Sequence, residues 1–369
     1  MSRRFVLLVA AGVWVAGSVG AQPAGTKPLR VAIAGLNHGH VGGFLRSAQS
    51  RAGDVAIVSM WDPDARLLAE YAKAQGLAGD QRFTDLGKML DAVHPEAVAT
   101  FTDTGSHAMV VEACAARRIP VMMEKPLAVD RRQARAIQQA AERYQTPVFV
   151  NYETTWYRSH GEMWNLLHEQ KAAGEIRKMV AMDGHQGPRE IGVQPEFFVW
   201  LNDPVKNGAG ALFDFGCYGA NLMTWMMDNE RPLQVTALTQ TEKPGIYTRV
   251  DDEATVLLRY RKAQGIIQAS WNWPVGRKDF EVYGETGFAI ANGGDHLRVR
   301  LAGGQGEETR ELPELKQGEA DSISYLIGVA RGKRKPSGLS SLENNVIVIE
   351  ILDAARESAR SGRTITLER

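Results

Sequence analysis

Cysteine is scarce in this chain: only Cys114 and Cys217 occur in 369 residues. Two thiols cannot build a disulfide framework, and no Cys/His spacing matches a zinc site. Cys114 falls inside a helical pattern and Cys217 in a glycine-rich turn, so both are expected to be free and buried. An excess of charge is also missing, with 43 basic against 43 acidic residues. Without a basic run to follow a phosphate backbone, the chain has no footprint for nucleic acid. Beyond the N-terminus no apolar stretch is long enough to span a bilayer, so no membrane span is expected in the mature chain. No internal repeat or low-complexity tract is present. The composition, 44% hydrophobic and 23% charged, is that of an ordinary globular protein.

The first residues differ in texture. Ser2-Arg3-Arg4 precedes an apolar run from Phe5 to Ala16, and Val19-Gly20-Ala21 follows. A charged start, a short apolar stretch and compact residues before a cut after Ala21 form a signal peptide over residues 1–21. The expected location is therefore the periplasm or the exterior. Ser-Arg-Arg-Phe is also a loose twin-arginine signal, with Phe5 one place early. An uncleaved anchor is the competing reading. Removal of Arg3 and Arg4 leaves the mature chain with two more acids than bases.

The length favours two domains. Over residues 28–150, short apolar runs (Arg30–Ala34, Val55–Met60, Ala97–Thr100, Val121–Met123, Val148–Val150) alternate with helical patterns near 40–50, 64–74, 85–93, 106–116 and 131–144. That alternation predicts a Rossmann-type, doubly wound parallel sheet. Over 151–369 the pattern becomes a run of consecutive strands from Leu233 to Leu312. A helix near 159–172, a strand over 175–183 and a helix after Gly216 precede them, and helices near 321–331 and 341–358 close the chain. Such a run predicts an α+β domain with a large open mixed or antiparallel sheet. The fold class is α/β.

Three sites carry chemistry. The first strand ends in Gly35-Leu36-Asn37-His38-Gly39-His40. A dinucleotide turn needs Gly-x-Gly-x-x-Gly so that backbone amides reach a pyrophosphate. Gly35 fits the first position; Asn37 replaces the second glycine tolerably, because Asn accepts left-handed geometry, and His40 adds bulk at the third. Asp62, 27 residues after Gly35, stands where an acid binds the adenosine ribose, and it favours NAD over NADP. The alternative is that Asp62 caps the helix near Asp64. The third site is Val121-Met122-Met123-Glu124-Lys125-Pro126, an apolar strand whose mouth presents Lys125 where open α/β sheets bind ligands. Proline fixes the backbone behind that lysine. His38 and His40 suggest a metal only superficially, since no acid or third histidine lies near them in sequence. No metal is expected.

Together with His107 and the stretch Gly210-Ala211-Leu212-Phe213-Asp214-Phe215-Gly216-Cys217-Tyr218, these features resemble the Gfo/Idh/MocA oxidoreductase superfamily over nearly the whole mature chain. The Tyr218-Gly219-Ala220-Asn221 context is similar to the exported glucose–fructose oxidoreductase branch, which has tyrosine where most members have histidine. The resemblance implies catalytic roles for Lys125, Asp214 and Tyr218. It implies an NAD or NADP site, with the tight binding that suits an exported member, made of Gly35, Asn37, His38, Asp62, Thr102, His107, Glu124 and Lys125. Oxidising a sugar hydroxyl needs a base, and a nearby Lys125 ammonium together with the cationic ring of NAD+ is expected to bring the Tyr218 phenol, ordinarily near pKa ~10, down toward that role. Asp214 would lie one helical turn from Tyr218. Its alternative role is to cap the helix after Gly216. For Tyr218 the alternative is core packing with a satisfied hydroxyl.

Tyr152, Trp156 and His185 are expected to meet the substrate, the two aromatics by stacking on a sugar ring. Trp271 and Trp273 are divided between sheet packing and ligand contact. The expected function is an exported NAD(P)-dependent oxidoreductase acting on a sugar or polyol, with a small carbohydrate as substrate and a homo-oligomer as the assembly. An NAD-dependent glycoside hydrolase of the same fold and a non-catalytic sugar-binding protein are the alternatives.

Overall fold

The computed structural model describes residues 27–304, 306–315 and 318–367; the expected signal peptide lies outside them. The first domain runs β1 (Leu29–Ala34), α1 (Val41–Ser50), β2 (Val55–Trp61), α2 (Ala65–Ala74), β3 (Arg82–Phe83), α3 (Leu86–Val93), β4 (Ala97–Thr100), α4 (His107–Ala115), β5 (Val121–Glu124), α5 (Arg131–Tyr144) and β6 (Val148–Asn151). Its six strands lie in the order β3-β2-β1-β4-β5-β6, all parallel. Helices cover both faces, so β4 and the apolar part of β5 are buried throughout. The order reverses between β1 and β4, and a crevice opens there at the C-terminal ends of the strands. Acid caps fix the helix starts: Asp64, Asp85 and Asp130 accept backbone amides of the first turns of α2, α3 and α5.

The second domain continues with α6 (Arg158–Trp164), β7 (Ile176–Gly184), α7 (Pro195–Leu201), α8 (Pro204–Asn207), α9 (Ala211–Asp214) and α10 (Gly216–Met226). Seven strands follow: β8 (Gln234–Gln240), β9 (Glu253–Arg259), β10 (Gln264–Ser270), β11 (Arg277–Gly284), β12 (Phe288–Asn292), β13 (His296–Arg300) and β14 (Glu308–Glu311). The chain ends with α11 (Ser322–Ala330), α12 (Leu342–Ser361) and β15 (Ile365–Thr366). The nine-stranded sheet is ordered β14-β13-β12-β11-β7-β10-β9-β8-β15. It is mixed, because β7 and β10 pair in parallel while its other neighbours are antiparallel. Helices α10 and α12 bury one face, and strands such as β13 alternate exposed and buried residues accordingly. On the open face Leu257 pairs with Ile266, and Leu238 is also exposed.

Two differences from expectation stand out. The helix near 159–172 is broken: α6 stops at Trp164 and a single π turn covers Asn165–Glu169. The boundary at residue 150 also divides the sequence more cleanly than it divides the packing. Ile323, Tyr325, Leu326 and Val329 of α11 belong to the same apolar cluster as Val31, Ile33 and Phe149 of the first domain.

Candidate active site

Strand β5 carries Lys125 to the rim of the sheet, and its peptide bond to Pro126 is cis. The Lys125 ammonium donates to Asp214 Oδ1 at 2.5 Å and to the Asp214 carbonyl at 2.9 Å. The other carboxylate oxygen accepts the Trp271 indole N–H at 3.0 Å. This pair is buried. Burial works against both charges, but each partner outweighs it for the other: Lys125 is held above and Asp214 below its ordinary range. A local staple places Asp214. Asp251 accepts the amides of Gly210 and Leu212 at 2.9 and 2.7 Å, and a side chain at Gly210 would lie 1.7 Å from the Asp251 carbonyl. Asp214 ends α9, and the cap of α10 is Phe215, so the capping role does not apply and Asp214 and Tyr218 do not share one helix.

Tyr218 lies between two ammonium groups, with Lys125 Nζ 5.2 Å and Lys278 Nζ 5.3 Å from its ring centroid. Its side chain lines the pocket, and its hydroxyl makes no hydrogen bond among the described residues, so it is not a satisfied core tyrosine. The protein's own groups do not lower the phenol pKa as Lys125 was expected to. Burial, with Glu153, Cys217 and Asp214 adding to it, pushes Tyr218 well above the ordinary tyrosine value. Tyr218 is therefore a neutral phenol that donates.

These groups line a pocket of about 230 Å³ shared with His40, Glu153, His185 and Lys278. His185 lines this pocket, and its Nδ1 accepts the Gly187 amide at 2.9 Å. Tyr152 is not. It is buried behind Tyr218, edge-on at 5.4 Å, and supports that ring instead of facing the pocket. Trp156 lines the adjoining groove of about 660 Å³, with its indole N–H on Asn151 at 2.9 Å. Trp271 is buried against Asp214, while Trp273 packs under Arg277. Glu153 and Lys278 went unread in the sequence, because charged residues in loops and strands carry no spacing signal, and His40 was not read as a pocket residue. Only His40 had a clue, its bulk at the third glycine position.

At the nucleotide turn, Gly35 has φ +84° and a side chain there would meet Thr102 at 2.3 Å, so only glycine fits. Thr102 thus shapes the turn by contact. Asp62 accepts the Leu36 amide at 2.7 Å and the Asp64 amide at 2.8 Å, so it holds the turn itself; the cap of α2 is Asp64. Burial raises the Asp62 pKa above the usual carboxylate value. Glu124 commits both oxygens within the protein, to His40 Nδ1 at 2.9 Å and Asn151 at 2.8 Å. His38, His40 and Glu124 bring one ligand atom each within 4.8 Å, so the acid absent nearby in sequence arrives from β5. His38 Nδ1 already accepts the His40 amide at 3.2 Å, which leaves its proton on Nε2 and spoils that ring as a ligand.

Helix α7 lies across this turn. Phe197 occupies the space a side chain at Gly39 would need, 2.6 Å from its place, and packs 4.7 Å from the His38 ring. No period announced this seven-residue helix, which is apolar on nearly every side.

Residues 29–152 match the family described as "Oxidoreductase family, NAD-binding Rossmann fold", and residues 165–290 match the "GFO/IDH/MocA C-terminal domain". The chain belongs to the GFO/IDH/MocA oxidoreductase family. The rhizopine catabolism protein MocA of Rhizobium meliloti is 25% identical over 69% of this chain and 75% of its own length. An inositol dehydrogenase homologue from Azotobacter vinelandii, solved with NAD+, superposes with TM-score 0.79 at 20% identity, covering 94% of this chain and all of that one. An aldose-aldose oxidoreductase from Caulobacter crescentus, solved with glycerol, gives TM-score 0.77 at 20% identity, covering 92% of this chain and 100% of the other.

The residues of this GFO/IDH/MocA chain fit NAD. Around the turn, Asn37 Oδ1, His38 Nε2, Thr104 Oγ1 and His107 Nε2 are buried without partners. They lie on two segments tied by the His38 amide donating to the Phe101 carbonyl at 3.0 Å. His107 donates through Nδ1 to the Leu127 carbonyl at 3.2 Å, which turns an acceptor nitrogen outward. Orphaned polar atoms of this kind call for a polar ligand. Gly35, Asn37, His38 and His107 are the residues placed to hold it.

Proposed function

We propose that this chain is an exported oxidoreductase that transfers hydride between NAD and a sugar or polyol hydroxyl. The observation that carries this reading is the buried Lys125–Asp214 pair beside the unbonded Tyr218 hydroxyl, in a pocket of about 230 Å³ between the two domains. Such a pocket suits one sugar-sized ring. NAD, when bound, supplies the hydride acceptor. Lys125 and Tyr218 both donate, so they stabilise the oxygen on the carbon that becomes a carbonyl. Asp214 keeps Lys125 charged and aimed. His185, Glu153 and Lys278 offer hydrogen bonds to the remaining hydroxyls. Relatives named for inositol, aldose and rhizopine chemistry support a polyhydroxylated substrate.

Export through residues 1–21, to the periplasm or beyond, forms part of the proposal, as does a homo-oligomer. Outside the cytoplasm free NAD is scarce, and α7 lying over the turn supports a cofactor that is held rather than exchanged. The test is a panel of aldoses, ketoses and polyols incubated with the purified protein and NAD+, with mass spectrometry of any nucleotide that co-purifies. Oxidation of at least one member with formation of NADH is the expected result. No NADH from any member, together with no co-purifying nucleotide and no NAD binding by calorimetry, would overturn the reading. N-terminal sequencing of the protein from the culture's periplasmic fraction tests the cut after Ala21.

A further inference from the structure

The pocket contains several titratable groups, yet nearly all of them are unable to take a proton. Lys125 is an ammonium locked onto Asp214. The Asp214 oxygens are taken by Lys125 and Trp271, and Tyr218 is a phenol. Glu153 accepts from Tyr157 at 2.7 Å on one oxygen and from Lys278 at 2.7 Å on the other. His185 uses Nδ1 to accept an amide, so its proton sits on Nε2. A carbinol cannot give up hydride without a base for its O–H proton.

His40 differs from all of these. Its Nδ1 lies 2.9 Å from Glu124 Oε2, and Glu124 is buried while the His40 side chain is 47% exposed. Burial works against the Glu124 charge, but His40, Asn151 and the nearby Lys125 outweigh it and hold the carboxyl below the usual carboxylate range. An ionised carboxylate only accepts, so Nδ1 of His40 carries a proton, and in the neutral ring this leaves the lone pair on Nε2. Asn151 fixes the second Glu124 oxygen, and Trp156 fixes Asn151, so the carboxylate is held from behind. His40 lines both the small pocket and the adjoining groove.

We propose that His40 is the general base of this site and that Glu124 is its positioning residue, an inference that rests on the oxidoreductase reading above. In the oxidation, Nε2 of His40 takes the hydroxyl proton while the carbinol carbon gives a hydride, two electrons with one proton, to NAD+. The products are the carbonyl compound, NADH and a His40 imidazolium, which releases its proton to solvent through the groove. The reverse reaction uses the same imidazolium as acid. His40 thus occupies the third glycine position of the turn for a chemical reason: the residue that spoils the nucleotide fingerprint supplies the base the second domain lacks.

The experiment compares wild type, His40→Ala and Glu124→Gln on NAD+ and whichever panel sugar or polyol the wild type oxidises. His40→Ala should lower kcat by about 10²–10⁴-fold, the usual contribution of a positioned base, with KM changed only a few-fold. Added imidazole should restore part of that loss, which a purely structural role would not allow. Nitrogen-15 NMR of the protein without substrate should show the Nδ1-protonated tautomer at His40, and Glu124→Gln should lose that preference. Undiminished turnover in His40→Ala, or a Nε2-protonated His40 in wild type, overturns this proposal and leaves the oxidoreductase reading intact. Activity abolished by EDTA and restored by Zn²⁺ or Mn²⁺ also overturns it, and makes His38, His40 and Glu124 a metal site. Failure of the wild type on the whole panel defeats the oxidoreductase reading and this inference with it.

Discussion

The indole N–H of Trp200 donates to the backbone carbonyl of Asn37 at 3.0 Å, and so joins α7 of the second domain to the nucleotide turn of the first. Beside it, Phe197 fills the space over Gly39. Residues that cover a binding turn act mainly on departure rates. Replacing Trp200 or Phe197 by Ala should speed NADH release, by about tenfold for a loss near 1.4 kcal/mol. Stopped-flow fluorescence of bound NADH measures this. An unchanged release rate in both variants would show that α7 does not retain the cofactor.

The two glycines of the turn should respond differently. Gly35→Ala forces a side chain onto a positive φ and into the Thr102 backbone, so both NAD binding and stability should fall, the strain alone costing about 1–3 kcal/mol. Gly39→Ala meets only the Phe197 ring and one Gln194 side chain. It should displace α7 and leave the first domain's melting behaviour nearly unchanged. Calorimetry and thermal unfolding of the two variants, side by side, make the comparison.

Lys125→Met leaves the Asp214 carboxylate buried with only the Trp271 indole as partner. Breaking a buried pair from one side typically costs about 3–5 kcal/mol. Activity should disappear as well. The double variant Lys125→Met/Asp214→Leu should recover much of the stability and none of the activity. Chemical denaturation with turnover assays would separate the two effects, and a single variant as stable as wild type would contradict the ion-pair account.

Asp183 offers a test in pH. Both its oxygens are fully buried without partners, and burial holds its pKa well above the ordinary carboxylate value despite the nearby Lys278. The folded state therefore binds the Asp183 proton more tightly than the unfolded chain, whose carboxyl titrates near ~3.9. This contribution is complete below that unfolded value and declines as pH rises through the folded one. Asp183→Asn removes the dependence. Its stability relative to wild type should improve steadily from about pH 4 upward, as read from denaturation midpoints at several pH values. Parallel curves for the two proteins would rule out a protonated Asp183.

The parallel alternation of the first domain could be read from residue types alone, because β4 and β5 are apolar runs bounded by turns and acid caps mark the helix starts. The same held for the C-terminal strands, whose alternate residues face one helical layer. Lys125, Asp214 and Tyr218 were legible through a motif, and the structure brings them into one pocket. Their protonation was not legible. A lysine near a tyrosine suggests a phenolate, but sequence does not reveal that the lysine is already neutralised by Asp214 and that the ring is buried. Tyr152 failed for a related reason: leaving a strand end, it pointed behind the pocket wall. The contacts of α7 were hidden because a short helix with little polar face shows no amphipathic period. Glu124 and His40 are 84 residues apart, and nothing local to either advertises the other.

Helix α11 has a consequence for synthesis. Arg51 of the first domain grips Asp321 and Ser324 across some 270 positions of sequence, and the apolar side of α11 seals the core beneath β1 and β6. A nascent chain released only to Asn151 would own all six strands of its sheet yet lack part of the cover for one of its faces. The apolar cluster on that face is complete only once residues 322–330 have left the ribosome. A gene cut at that apparent boundary should yield a sticky fragment, and chaperone demand during translation should be set by the last seventh of the chain.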